Sequence, residues 1–284
     1  MPKNIKLEKK EVSLLIDLYN SGLFNKAQTK AISLIKKHSK ELILHTILGA
    51  IYAAQGKVTQ AVLSYKRALN INPRYAEAYN NIGNVLQQKR SFKEAEINYK
   101  KAIKIKTNYA EAYYNYAILL TQNNKPNRAI ANYNRAILYK ENYFEAYYNI
   151  GIIKLKQKNF LDAQRNFEKT VSINQKHYES FNNLGNIFRM QKDFEKAIIF
   201  YNKSIYIKPD YYKAYNNLGS ALREIGKLQD AVLSYRKAIN MNPNHSEAHN
   251  NLGAIFHEIK QFKYALHHYN EAIRINKHYY NAHN

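Results

Sequence analysis

The nine glycines of this 284-residue chain fall at two positions of one strict 34-residue period. Gly49, Gly83, Gly151, Gly185, Gly219 and Gly253 share one phase, and Gly22, Gly56 and Gly226 share another, seven residues later. A glycine confined in this way marks a backbone site that recurs in space, because each copy meets the same close approach or the same turn. The length alone would suggest about two globular domains, but an unbroken period argues for one array of a small building block.

With the commoner glycine set at position 8, repeats begin at residues 42, 76, 110, 144, 178, 212 and 246 without insertion or deletion. Position 20 is alanine in all seven (Ala61, Ala95, Ala129, Ala163, Ala197, Ala231, Ala265). Position 24 is aromatic in all seven (Tyr65, Tyr99, Tyr133, Phe167, Tyr201, Tyr235, Tyr269), and position 27 stays small, from Ala68 to Ala272. Prolines occupy position 32 in three repeats (Pro73, Pro209, Pro243). These anchors resemble the 34-residue tetratricopeptide signature, with Tyr79, Tyr113, Tyr147, Phe181 and Tyr215 where that signature prefers tryptophan. The resemblance covers residues 8–284 and implies an all-α fold, a right-handed superhelical solenoid of stacked antiparallel helix pairs.

The physical logic stands beside the resemblance. Positions 3, 4, 7, 8 and 11 define one helical face and 20, 21, 24, 27 and 28 another, with a break at 15–17 that carries Gly56, Asn124 or Gly226. Pro126 falls where the second helix begins and its missing N–H costs little. Each hairpin leaves an apolar face that only a neighbour can cover. Residues 1–7 are an N-terminal extension, and 8–41 form a degenerate first repeat in which Leu15 replaces the glycine and Ala31 the aromatic. Residues 42–279 are seven consecutive repeats, and 280–284 open a further, truncated one. That ending predicts an uncapped C-terminal face, either in a piece of a longer protein or in an array that associates through that end.

Several function classes drop out. No apolar run approaches the roughly 20 residues of a membrane span. Residues 1–11 lack the apolar core of a signal peptide, so a cytoplasmic location is the default expectation. With no cysteine there are no disulfides and no thiolate metal sites. The net charge of +23 would suit a nucleic-acid binder. However, richness in Lys, Asn, Ile and Tyr together also follows from A/T-rich codons. The basic row at position 26 (Arg67, Lys101, Arg135, Lys169, Lys203, Lys237) lies on the outer face of the second helix, while position 2 is glutamate in five repeats (Glu77, Glu111, Glu145, Glu179, Glu247). An unbroken basic groove is absent, which argues against nucleic acid as the partner.

Asparagine fills position 6 in six successive repeats: Asn81, Asn115, Asn149, Asn183, Asn217 and Asn251. It is a poor helix former, so its repetition asks for a use. The tetratricopeptide resemblance places position 6 on the concave side of the first helix, where an amide offers the donor and acceptor that a peptide backbone needs. The row resembles the asparagine ladder in the repeat arm of O-linked N-acetylglucosamine transferases, and Tyr114 and Tyr148 at position 5 would add packing area. A two-carboxylate clamp of the chaperone-binding kind is excluded, because position 5 is never lysine and position 2 is mostly glutamate. His245 and His249 have helical metal-ligand spacing, but they fall in a turn and at the aromatic position 4, which favours packing over metal binding.

No catalytic motif and no cofactor site appears. The expectation is a noncatalytic scaffold that binds a protein or peptide segment in the concave groove. The alternative is the substrate-recruiting arm of a larger enzyme. The segment Leu18-Tyr19-Asn20-Ser21-Gly22, with Leu48-Gly49-Ala50, resembles the start of bacterial arrays that precede a sulfotransferase or glycosyltransferase domain. A basic RNA-binding repeat is the third reading.

Overall fold

The structure, a computed structural model, describes residues 7–276, and every regular element among them is helical. The first pair is α1 (Lys9–Asn20) and α2 (Phe24–Lys37). It is followed by α3 (Leu42–Ala54) and α4 (Val58–Ile71), α5 (Ala76–Gln88) and α6 (Phe92–Ile105), and α7 (Ala110–Gln122) and α8 (Pro126–Tyr139). Then come α9 (Phe144–Lys156) and α10 (Phe160–Ile173), α11 (Tyr178–Met190) and α12 (Phe194–Ile207), α13 (Tyr212–Glu224) and α14 (Leu228–Met241), and α15 (Ser246–Glu258) and α16 (Phe262–Ile275). The first helix of a pair is called A and the second B. The chain divides into two compact bodies, residues 1–146 and 147–284, with the division inside α9. Within each body, successive helices pack in series. The expected further repeat at 280–284 lies outside the described residues.

Each A helix ends the same way. Position 15 takes a left-handed backbone in all eight pairs, with Gly22, Gly56 and Gly226 at φ 72–75° and Arg90, Asn124, Lys158, Lys192 and Lys260 at φ 54–63°. The next residue donates its N–H back to the helix, as in Lys57 N–H to Tyr52 O at 2.8 Å and Asp193 N–H to Phe188 O at 2.9 Å. This left-handed cap satisfies a carbonyl the helix end would otherwise leave open. The turn therefore needs the geometry at every copy, whereas the sequence marks it with glycine at only three. Pro126 opens α8 as expected.

The position-8 glycine has a different cause. A Cβ built on Gly185 would lie 2.5 Å from the Tyr201 ring, which is fully buried. Ala197, one turn before that ring, is also fully buried, so the two helices of the pair meet through an absent side chain, a methyl and a ring. The first repeat solves the same problem in reverse: Leu15 and Ala31, at positions 8 and 24, are both fully buried. Large and small have exchanged places across one contact, which conserves core volume. Each buried ring or Leu-sized side chain contributes about 1.5–3 kcal/mol, so this seam carries much of the stability.

Candidate functional site: a polar cleft on the A helices

In the C-terminal body a cleft of about 380 Å³ opens along α9, α11, α13 and α15. Its walls are amides, rings and position-2 charges, among them Tyr148, Asn183, Lys213, Asn217 and Glu247. The helices present these groups because positions 2, 5, 6 and 9 are three or four residues apart and so share one face of the A helix.

The position-6 asparagines bond sideways. Asn217 Nδ2 donates to Asn182 Oδ1 of the preceding repeat at 3.0 Å, and Asn251 Nδ2 to Asn216 Oδ1 at 3.2 Å. Asn115 does the same to Asn80 at 3.1 Å in the N-terminal body. Asn183 stands near Tyr148, at position 5 of the repeat before it: burial raises the Tyr148 hydroxyl pKa and Asn183 partly offsets that. The acceptors Asn80, Asn182 and Asn216 are buried, while the donors are half-buried. Asn250 Oδ1, next along the acceptor row, is buried without a hydrogen-bond partner among the described residues. One amide hydrogen at position 6 thus ties adjacent repeats together. In Asn217 the carbonyl and second N–H remain for the cleft.

Of the side chains singled out from the sequence, Tyr148, Asn183 and Asn217 line this cleft. Asn149 and Asn251 are half-buried in the same body without lining it. Asn81, Asn115 and Tyr114 belong to the N-terminal body, where Tyr114 stacks on Tyr143 at 4.7 Å between ring centroids.

Two rows of residues escaped sequence reasoning. Position 34 is aromatic in all seven repeats: Tyr75, Tyr109, Tyr143, His177, Tyr211, His245 and Tyr279, the last of which lies outside the described residues. Tyr75, Tyr109, His177, Tyr211 and His245 hold the N-cap position of the following A helix, and there the His177 and His245 side chains accept a helix N–H. Tyr211 and His245 also line the cleft, and the His177 ring lies 4.6 Å from Tyr148. The signal was the same 34-residue spacing that marked the glycines. Position 9 was the second row. The Tyr201 hydroxyl donates to Asn186 Oδ1 at 2.8 Å, and Tyr235 to Ser220 Oγ at 3.1 Å. Where position 9 is Ile152 and Leu155 lies one turn on, the ring is Phe167, which has no hydroxyl to satisfy. Burial raises the Tyr201 and Tyr235 hydroxyls to about 12. They therefore stay neutral donors.

The charges sort by face. Lys101, Lys203 and Lys237 of the outer basic row lie over the position-4 rings of Tyr79, Phe181 and Tyr215 at 5.5, 5.9 and 5.5 Å. Cation–π packing of this kind gives the row a use within the fold. In the N-terminal body Lys106 Nζ pairs with Glu77 at 2.9 Å.

His245 and His249 do not converge. His245 Nδ1 accepts the Ala248 N–H at 3.0 Å as a helix cap, which needs its neutral form, and burial lowers its pKa. His249 is buried, 3.2 Å from the Pro243 carbonyl through Nε2 and 3.2 Å from His268 Nδ1. Burial, with His249 and His267 adding to it, lowers His268 to about 4. His278 and His283 lie outside the described residues. Among the described residues no helix is long and apolar enough to cross a membrane.

Tetratricopeptide repeat family models match residues 76–109, 98–131, 144–177, 178–211, 200–232 and 246–279, and a TPR repeat model matches 49–89 and 219–260. No curated protein matches the sequence. Among solved structures, YrrB, described as a TPR protein with an unusual peptide-binding site, is 24% identical over 65% of this chain and 95% of its own, with a TM-score of 0.55. PilF of Pseudomonas aeruginosa is 20% identical over 72% of this chain and 93% of its own, with a TM-score of 0.63. A tetratricopeptide repeat protein from Parabacteroides merdae is 18% identical over 89% of this chain and 96% of its own, with a TM-score of 0.59. At these identities the likeness is one of fold. Repeat anchors, helix pairs at 34-residue intervals and family matches agree: the chain belongs to the tetratricopeptide repeat family.

Proposed function

We propose that this is a noncatalytic interaction scaffold whose C-terminal body holds an extended polypeptide segment in the polar cleft. The observation that carries this reading is the state of the asparagines. Asn217 spends one amide hydrogen on Asn182 and is thereby fixed in orientation, with a carbonyl and an N–H still to offer. A fixed amide binds a peptide backbone without first losing rotamer freedom. Asn183 sits one repeat away in the same cleft, which Tyr148 also lines. Tyr148 and Tyr211 add ring surface beside them. The ladder members Asn149 and Asn251 would extend the track within this body, and Asn81, Asn115 and Tyr114 would form a stretch of the same kind on the N-terminal body. A peptide-binding site is also what YrrB is described by, and that description supports the class of function rather than the residues.

Each hydrogen bond contributes about 0.5–1.5 kcal/mol net, so several must act together, and micromolar affinity would need roughly 8 kcal/mol. The test is selection of unstructured peptides from a displayed library, with binding measured by fluorescence anisotropy. The variant Asn183→Ala with Asn217→Ala should bind selected peptides at least tenfold more weakly while keeping its helical signal. Undiminished affinity in that variant would remove the amides from the mechanism.

A further inference from the structure

Resting on the reading of the cleft as a peptide groove, we infer that it selects a segment in which an acidic side chain is flanked, three residues away on each side, by basic ones. The position-2 residues that line the cleft are Glu179 on α11, Lys213 on α13 and Glu247 on α15, in that order along the repeats. Position 2 is glutamate in every other repeat from 76 onward, so Lys213 reverses the sign at one step only.

These three charges are not consumed by the fold. Lys213 makes no ion pair among the described residues, and its ring contact is a distant 6.0 Å from Tyr212. Glu247 likewise has no ion pair there. Glu179 has only His177 Nε2 within range, at 3.7 Å. Lys208, which senses Glu179, is drawn instead to Tyr178, 4.6 Å over its ring and 3.2 Å from its hydroxyl. The contrast is Glu77, whose carboxylate is met directly by Lys106 at 2.9 Å. His245, the remaining titratable side chain between Lys213 and Glu247, is kept neutral by burial and by its capping bond. Among the described residues Lys213 is therefore the only lysine or arginine lining the cleft, with, one repeat to either side, a carboxylate that no lysine or arginine pairs with.

The spacing follows from chain geometry. Successive A helices meet through side chains, as Asn217 and Asn182 do at 3.0 Å, which corresponds to a step of about 10 Å. An extended peptide advances about 3.3–3.6 Å per residue, so one repeat spans about three residues. In the polyproline II conformation three residues make one turn of about 9 Å, so side chains at i, i+3 and i+6 point to the same side. A basic-x-x-acidic-x-x-basic segment then sets its charges against Glu179, Lys213 and Glu247. The chain's overall charge of +23 would by itself favour acidic peptides, so preference for this pattern over a more acidic one is the distinguishing sign.

The experiment uses the full chain and three labelled peptides: Lys-Ala-Ala-Glu-Ala-Ala-Lys, its inverse Glu-Ala-Ala-Lys-Ala-Ala-Glu, and the all-acidic Glu-Ala-Ala-Glu-Ala-Ala-Glu. Anisotropy titrations at low salt should rank the first peptide roughly tenfold above the other two, the scale of three partly exposed ion pairs. Lys213→Glu should abolish that preference, and a fourth labelled peptide, Lys-Ala-Ala-Lys-Ala-Ala-Lys, should then bind best. Equal binding of all peptides, or a ranking by net negative charge that Lys213→Glu leaves unchanged, would overturn the charge register while leaving a backbone-reading groove intact. No binding of any peptide at millimolar concentration would overturn both the register and the groove.

Discussion

Glu96 occupies a place that most other repeats fill with apolar side chains. It stands at position 21 of α6, where Val62, Ile130, Ile198 and Val232 stand elsewhere. Across the repeat boundary it meets Tyr116 at position 7, where Leu48, Ile82, Leu184, Leu218 and Leu252 are the counterparts. Its Oε1 accepts from the Tyr116 hydroxyl at 2.7 Å, Lys100 Nζ at 2.8 Å and Arg128 Nη2 at 3.1 Å. Arg128 also donates to the Tyr116 oxygen at 2.7 Å. The Lys100 hydrogen bond, opposed by burial and reinforced by Tyr116 and Arg128, draws the carboxyl down from 4.5 to about 2. At about 1.4 kcal/mol per unit that is roughly 3 kcal/mol, and water around the half-exposed Lys100 and Arg128 cuts it to about 1–2 kcal/mol. Glu96→Gln keeps the shape and removes the charge, so it should cost that much at pH 7. A depressed carboxyl gives stability that is complete above its unfolded pKa and is lost as pH falls through its folded one. The deficit should therefore shrink between pH 4.5 and pH 2. Urea denaturation followed by circular dichroism at pH 7 and pH 2.5, with hydrogen exchange on α6 and α7, reads both quantities. Glu96→Val with Tyr116→Leu should recover most of the loss, because the pair then matches the apolar packing of its neighbours. An equal deficit at both pH values, or none at pH 7, would refute the ion-pair reasoning.

Three further outcomes follow from the packing. Phe167→Tyr buries a hydroxyl against Ile152 and Leu155 and should destabilise the C-terminal body by about 1–3 kcal/mol, measured by urea melts; adding Ile152→Asn should restore part of it. Lys192→Gly relieves a left-handed backbone at φ 62° and should stabilise that body by about 0.5–1 kcal/mol in the same assay. His268 and His249 have lowered pKa values because burial penalises their charge, so their contribution is present above about pH 6.5 and falls as pH drops toward 4. For the half-buried His268 ring, packed on buried His249, the loss is on the order of 1 kcal/mol, and His268→Phe should flatten the pH dependence of hydrogen exchange in α16.

The anchors legible in the sequence are those whose partners lie within one repeat. Gly185 and Tyr201 are 16 residues apart and meet in one hairpin, so a glycine, an alanine and a ring in fixed register already specify the contact. The left-handed turn was visible at Gly22, Gly56, Asn124 and Gly226, but the four copies with Arg or Lys carry no such mark, because the cap geometry is imposed by the helix end rather than by its residue. The asparagine row was visible as a row, and its inward use was not. Asn217 bonds Asn182, 35 residues earlier, and that partner becomes apparent only when one repeat is laid on the next. The rings at position 34 were passed over as turn residues, although the period marked them as plainly as it marked the glycines. The outer lysines illustrate a different limit: total charge says nothing about which cations rest on aromatic faces, as Lys101, Lys203 and Lys237 do.

The central claim is that the amides of Asn183 and Asn217 read a peptide backbone in the cleft. The most direct measurement is the pair of side-chain amide resonances of these two residues, assigned by ¹⁵N NMR and followed while a library-selected peptide is added to the full chain. Both pairs should shift and saturate with the same binding curve, and N-methylating the backbone of the peptide at its centre should abolish the shifts. Saturable binding that leaves both amide pairs unmoved, or that survives N-methylation at every position, would contradict that claim.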